Sequence, residues 1–233
     1  MSATRGGVCK PFLLLFLLFS LKLASTSAQV PARVVTPVDN ALRVTLAGNV
    51  HPLARPEFDR GAVTGSQPMT RILLLLQRSD TQEAALQTFL EQQQDKSSPN
   101  YHQWLTPAEF GTQYGPADPD VQAVTQWLES QGFTVAKVYT SKMMIEFSGT
   151  AAQVQTAFGT PIHNFEVNGK MYLANASNPQ IPAALAAVIA GVVSLNNFPR
   201  QSHVRISRAR LWRRFAPARC CWQPPVCCVG GKP

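Results

Sequence analysis

The sequence predicts an α+β fold: a β-α-β-β-α-β antiparallel open sandwich, helices on one face of the sheet, with an inserted β-hairpin. Three observations predict it. Ile72-Leu73-Leu74-Leu75-Leu76-Gln77 is an apolar run bounded by charge, short enough to be one buried central strand. Helix-period segments separate it from two strand-like segments, 133–138 and 143–147. Asn168-Gly169, a two-residue turn signal, stands between two further strand-like segments.

The elements follow in chain order. Arg5 and Lys10 precede an apolar run from Pro11 to Leu23, and Ala24-Ser25-Thr26-Ser27-Ala28 supplies small residues for a cut after Ala28. Residues 1–28 therefore read as a secretory signal peptide. The run is short for a ~20-residue membrane span and Lys22 interrupts it, so no stable membrane anchoring is expected after cleavage. Residues 29–70 read as an extended Pro-rich arm, broken by Pro31, Pro37, Pro52, Pro56 and Pro68, with one short strand at Leu42 to Leu46.

The compact part is expected at 71–198. After the first strand, Ser79 or Asp80 caps a helix from Thr81 to about Lys96, with Ala84, Ala85, Phe89 and Leu86 or Leu90 on its apolar face. Thr106, Pro107 and Glu109 form a capping box with proline at the first helical position, so Tyr101 to Phe110 is a helix-to-helix joint whose Trp104 and Leu105 can pack back on the preceding helix. A helix from Pro119 to Ser130 buries Val121, Val124, Trp127 and Leu128 and stops at Gly132. Phe133–Val138 and Met143–Phe147 read as neighbouring strands. Thr150 or Ser148 caps a helix holding Ala151, Val154, Ala157 and Phe158. The hairpin pairs Ile162–Val167 with Lys170–Ala174. Pro182 to Ala187 reads as a short alanine-rich helix, and Val188 to Leu195 as the last strand.

Composition limits the function classes. The 233 residues carry a formal charge of +8, but residues 1–199 hold thirteen basic and thirteen acidic side chains, whereas 200–233 hold eight basic and no acidic ones. The folded part is neutral and offers no basic face to track phosphates, so no nucleic-acid partner is expected. No cysteine lies between residues 10 and 219. Cys220-Cys221 and Cys227-Cys228 are vicinal pairs and poor zinc chelates, so no metal and no cofactor are expected. Glu91 and Asp95 stand four apart on a helix, and Ser148-Gly149-Thr150 looks like the flank of a nucleophile; a solvated helix end and a helix cap explain both. His102 reads as a hydrogen-bonded surface or core-edge side chain. Asn175-Ala176-Ser177 fits a glycosylation sequon.

Five stretches in series carry a resemblance: Tyr101 to Phe110 (YHQWLTPAEF), Trp127 to Val135, Ile145 to Val154, Ala157 to His163 and Pro179 to Leu185. Over residues 70 to 198 the chain resembles the activation (pro) domain of the sedolisin, or kumamolisin-type, serine-carboxyl peptidases. The resemblance implies a ferredoxin-like propeptide that assists folding of a subtilisin-like catalytic domain, blocks its active site and is released in acid. The family's catalytic Ser, Glu and Asp lie in that following domain, so none is carried onto this chain, and Gly149-Thr150 is followed by Ala151 where a nucleophilic Ser would stand. We expect an exported, non-catalytic domain whose partner is a sedolisin-type catalytic domain, in cis or in trans. Glu109, Asp118, Asp120, Glu146 and Glu166 are the candidate interface carboxylates, which would lose charge as pH falls. The alternatives are a secreted binding module with an unrelated partner, or a truncated non-functional fragment of a serine-type endopeptidase. The basic, Cys-rich tail, 199–233, is expected to be disordered and reads as a shifted frame.

Overall fold

The computed structural model describes residues 30–199. The signal-peptide reading and the reading of the tail fall outside the described residues.

Four antiparallel strands make the main sheet: β3 (Pro68–Leu76), β4 (Thr134–Val138), β5 (Met144–Thr150) and β9 (Ile189–Val193), in the order β4-β5-β3-β9. The apolar run is thus a central strand, as expected, paired on both sides: Leu74 lies opposite Ile145 on β5 and opposite Val192 on β9. Three helices fill the crossover from β3 to β4: α1 (Asp80–Gln92), α2 (Pro107–Tyr114) and α3 (Asp118–Ser130). A fourth, α4 (Ala151–Phe158), follows β5 directly. The architecture is an α+β open sandwich of antiparallel strands.

Alternation along β3 divides the sheet into two faces. Ile72, Leu74 and Leu76 point inward with Ile145, Phe147, Ile189 and Val192, and all are almost fully buried. On that side they pack against Val121, Val124, Trp127 and Leu128 of α3 and Val154, Ala157 and Phe158 of α4. Phe133, Phe147, Phe158 and Trp127 form the aromatic centre, with Trp127 edge-on to Phe158 at 5.4 Å between centroids. Burying such side chains contributes about 1.5–3 kcal/mol each.

Local chemistry explains the helix starts. Ser79, Thr106 and Thr150 each accept from the amide three residues on, and Gln82, Glu109 and Gln153 each reach back to the cap amide. Gly159, at φ 62°, closes α4 in the left-handed conformation. Gly111 lets α2 press on the β4–β5 loop: a Cβ there would come within 2.2 Å of the Thr140 carbonyl oxygen.

The hairpin, β6 (Ile162–Val167) and β7 (Lys170–Asn175), turns on Asn168 and Gly169 with φ of 54° and 71°. It recruits β2 (Asp59–Ala62) into a second sheet of order β2-β6-β7. The stretch read as an arm is woven into the fold. Its β1 (Arg43–Thr45) pairs with β8 (Gln180–Pro182). Val34, Val38, Leu46 and Val63 pack on the main core.

Two local expectations are corrected. Residues 182–187 form no helix beyond one 3-10 turn, Ala183–Leu185, because Gln180–Pro182 is held as a strand and the Ala183 amide donates to the Leu42 carbonyl. Trp104 does not pack on α1; it is 70% exposed. His102 takes φ 57°, and its ring stacks on Tyr101 (3.8 Å) and Trp104 (5.9 Å), all three at the surface joint.

Candidate docking face

Helices α3 and α4 cover one face of the main sheet; the opposite face carries a different set of side chains. Leu73 lies directly across from Glu146 on β5 and Val193 on β9, and Leu75 lies across from Met144 and Gly191. Cross-strand neighbours share a face, so Leu73, Leu75, Met144 and Val193 form a half-exposed apolar row; Val193 is 38% exposed. A groove of about 400 Å³ continues the row between the start of β3 and Leu173 of β7, lined also by Arg71, Ser194 and Asn197.

Glu146 is set into this row. It accepts from Arg71 Nε at 3.2 Å and from the Tyr139 hydroxyl at 3.0 Å, and its side chain is 16% exposed. The bond to Glu146 holds the Tyr139 phenol above its ordinary pKa. Arg71 itself sits at φ 55° beside a register shift in β3, and its amide donates to Ser148 Oγ. This explains Ser148: it accepts a bond at a bulge. Thr150, two residues on, is the cap of α4.

The other candidate carboxylates lie elsewhere, each with a partner in its own chain. Glu109 closes the α2 capping box, where the Thr106 amide and hydroxyl hold it below the usual carboxylate range. Asp118 opens α3 and pairs with Lys142 Nζ at 2.6 Å, its side chain 80% exposed. Glu166 on β6 pairs with Arg60 at 3.0 Å. Asp120 is fully buried. Its carboxylate accepts from the backbone amides of Arg33 and Val34, at 2.8 Å each, so it faces its own N-terminal segment and is closed to a partner.

Sequence reasoning missed the apolar row because a run of four leucines hides the two-residue period. Only the flanking pattern, Arg71 outward and Gln77 at the end, hinted that alternate positions differ. It also missed Asp59 and His163, which join β2 to β6 through Asp59 Oδ2 and His163 Nδ1 at 2.8 Å. The sequon is closed: Asn175 is fully buried and its Nδ2 donates to the carbonyls of Asn49 and Ser177. Among the described residues no three His, Cys, Asp or Glu side chains cluster as a metal site, and no helix is long and apolar enough to cross a membrane.

The structure is thus a helix-backed antiparallel sheet whose opposite face carries a half-exposed apolar row. The chain belongs to the pro-kumamolisin activation-domain family, whose model matches residues 58–198. It is 31% identical over 174 residues to xanthomonalisin of Xanthomonas sp. (strain T-22), an alignment taking in 72% of this chain and 21% of that protein. It is 30% identical to sedolisin of Pseudomonas sp. (strain 101), over 51% of this chain and 20% of that one. With kumamolisin of Bacillus sp. (strain MN-32) the identity is 26%, over 71% of this chain and 30% of that one. The chain thus spans a fifth to under a third of the relatives it matches.

Proposed function

We propose that this chain is an exported propeptide that assists the folding of a sedolisin-type catalytic domain and inhibits it until acid releases the complex. The observation that carries this reading is the uncovered row Leu73, Leu75, Met144 and Val193 on the sheet face opposite the helices, in a chain of the activation-domain family. Apolar side chains left half-exposed at the centre of a sheet gain by covering. Helices on the surface of a catalytic domain are the chemistry that covers a sheet face, and Glu146, held by Arg71 and Tyr139 in the row, offers them an acceptor. Carboxylates at such an interface lose charge as the pH falls and their pairing weakens. Glu109, Asp118 and Glu166 lie away from this row and are candidate contacts of a wider interface; Asp120 is not, because it is spent on Arg33 and Val34.

The test is inhibition in trans. A separately produced sedolisin-family catalytic domain, assayed on a peptide substrate, should lose activity on adding the purified chain, with nanomolar affinity that weakens in acid. The double variant Leu73→Asp, Val193→Asp should fold and fail to inhibit. No inhibition by the wild-type chain, or full inhibition by the double variant, overturns the reading.

A further inference from the structure

The described chain ends in a three-ring stack. Phe198 lies between His51, whose ring is parallel to it at 12° with centroids 4.3 Å apart, and Tyr172 of β7 at 4.6 Å. Phe198 is 7% exposed and belongs to a second apolar cluster with Phe165, Val167 and Ala174, flanked by Leu53, Ala54 and Phe58. The preceding residue continues the attachment: the Asn197 amide donates to the Leu173 carbonyl, and the Leu173 amide donates to Asn197 Oδ1 at 2.7 Å. Residues 197–198 are thus fastened to β7 by two hydrogen bonds and to the N-terminal segment by the His51 ring and the apolar side chains around it.

The His51 ring is held in one protonation state. His51 Nδ1 accepts from the Leu53 amide at 3.2 Å. Only an imidazole with a lone pair on Nδ1 can accept; a proton on Nδ1 would put two donors face to face. The charged ring would also lie against Phe198 with no counter-ion. Among the described residues, β7 offers Tyr172 and, two residues away on the same face, the exposed Lys170, the C-terminal segment offers none, and Arg55 and Glu57, in the same segment as His51, are exposed and pair with each other. Burial accordingly pushes the His51 imidazole below its ordinary value, with no charged neighbour contributing.

We propose that His51, Phe198 and Tyr172 form an acid-sensitive clamp on the C-terminal end of the domain: neutral His51 holds Phe198 in place, and protonated His51 lets residues 196–199 detach, while Leu195 stays buried in the main core. The sign follows from the preference for the neutral ring. His51 takes up a proton more readily when the segment is detached than when it is clamped, so opening starts as the pH falls below the free imidazole value of about 6.5 and levels off below the clamped value. The clamp is a property of this fold and stands whether or not the domain inhibits a peptidase.

Hydrogen exchange of the full chain, followed by mass spectrometry between about pH 7.5 and 5 and corrected for intrinsic rates, reads the clamp directly, above the range where carboxylates titrate. Protection of peptides covering 196–199 should fall across that range while peptides from β3 and β5 keep theirs. His51→Phe keeps the stack and cannot be protonated, so its protection there should be high and flat with pH; His51→Ala should be open throughout. Tyr172→Leu, which leaves His51 intact, should lower protection at neutral pH and keep a pH step. Protection of 196–199 that does not change with pH in the wild-type chain, or a step that survives in His51→Phe, overturns the clamp.

Discussion

Asp120 shows how one buried carboxylate fixes a long-range contact. It is the second acid of a first helical turn, where acids stabilise the helix end, and the sequence offered it as a candidate interface carboxylate. The structure uses it to hold two amides 86 and 87 residues away. That partnership was not legible, because Arg33 and Val34 carry no side-chain signal for it; their backbone is the ligand. Replacing Asp120 by Ala should orphan those amides and cost about 1–3 kcal/mol, read as a lower urea midpoint, with new protease cleavage near residue 33. Gly111 makes a sharper test. Nothing in the sequence signals its role: a Cβ there meets the Thr140 carbonyl oxygen at 2.2 Å. Gly111→Ala raises helix propensity and should still lower stability, by about 1–3 kcal/mol, because α2 must move off the β4–β5 loop. A gain in melting temperature would show that the loop yields freely.

Element boundaries were most legible where backbone chemistry is local. The capping box at Thr106 and the Asn168-Gly169 turn need only three or four neighbouring residues and stand where they were read, and of the two caps left open before α4, Thr150 and Ser148, Thr150 serves, with Gln153 completing a box. Thr150→Ala should cost about 1 kcal/mol in chemical denaturation, since the Gln153 amide loses its acceptor at the start of a helix whose apolar face lies in the core. Elements set by distant partners were less legible. Alanine richness at 183–187 favours a helix by propensity, but pairing with β1 and the donation from Ala183 to Leu42 override it. Trp104 looked like a staple on α1 and instead stacks with His102 at the surface, because His102 turns the chain through φ 57°. The candidate docking row was hidden for the opposite reason: leucine fills both faces of β3, so the sequence cannot say which alternate set is buried.

At the scale of the molecule, the sheet β2-β6-β7 carries an acid-sensitive tie to its edge strand. Asp59 ties β2 to β6. Burial pushes its carboxyl up, but the Gly61 amide, His163 and Arg60 together hold it below the ordinary carboxylate value. A carboxyl depressed in the folded state adds stability above its unfolded value, and that stability is lost as the pH falls through the folded one. Melting temperature measured from about pH 5 to pH 2 should therefore fall less steeply in Asp59→Asn than in the wild-type chain, with the variant already the less stable at pH 5.

The N-terminal stretch gives the last prediction. The sequence assigned 29–70 to an arm outside the compact part, and proline spacing supports an extended chain. Extended does not mean detached. Arg43 donates to the carbonyls of Ala157 and Thr156 at the end of α4, Asn40 accepts from Trp127 Nε1, and Asn49 Oδ1 accepts from the Val192 amide on the edge strand β9. Each bond satisfies a group that secondary structure leaves open: the last carbonyls of a helix, a buried indole and an unpaired strand edge. Removing residues 29–57 from the chain would expose all of these and uncover the core beneath Val34, Val38 and Leu46, although the whole of the family match, 58–198, would remain. The shortened chain should unfold at lower urea and self-associate through the β9 edge, seen as a concentration-dependent mass by light scattering. Adding back a synthetic peptide of residues 29–57 should restore the midpoint. Unchanged stability on deletion would mean that the matched region folds alone and that the arm is only a covering.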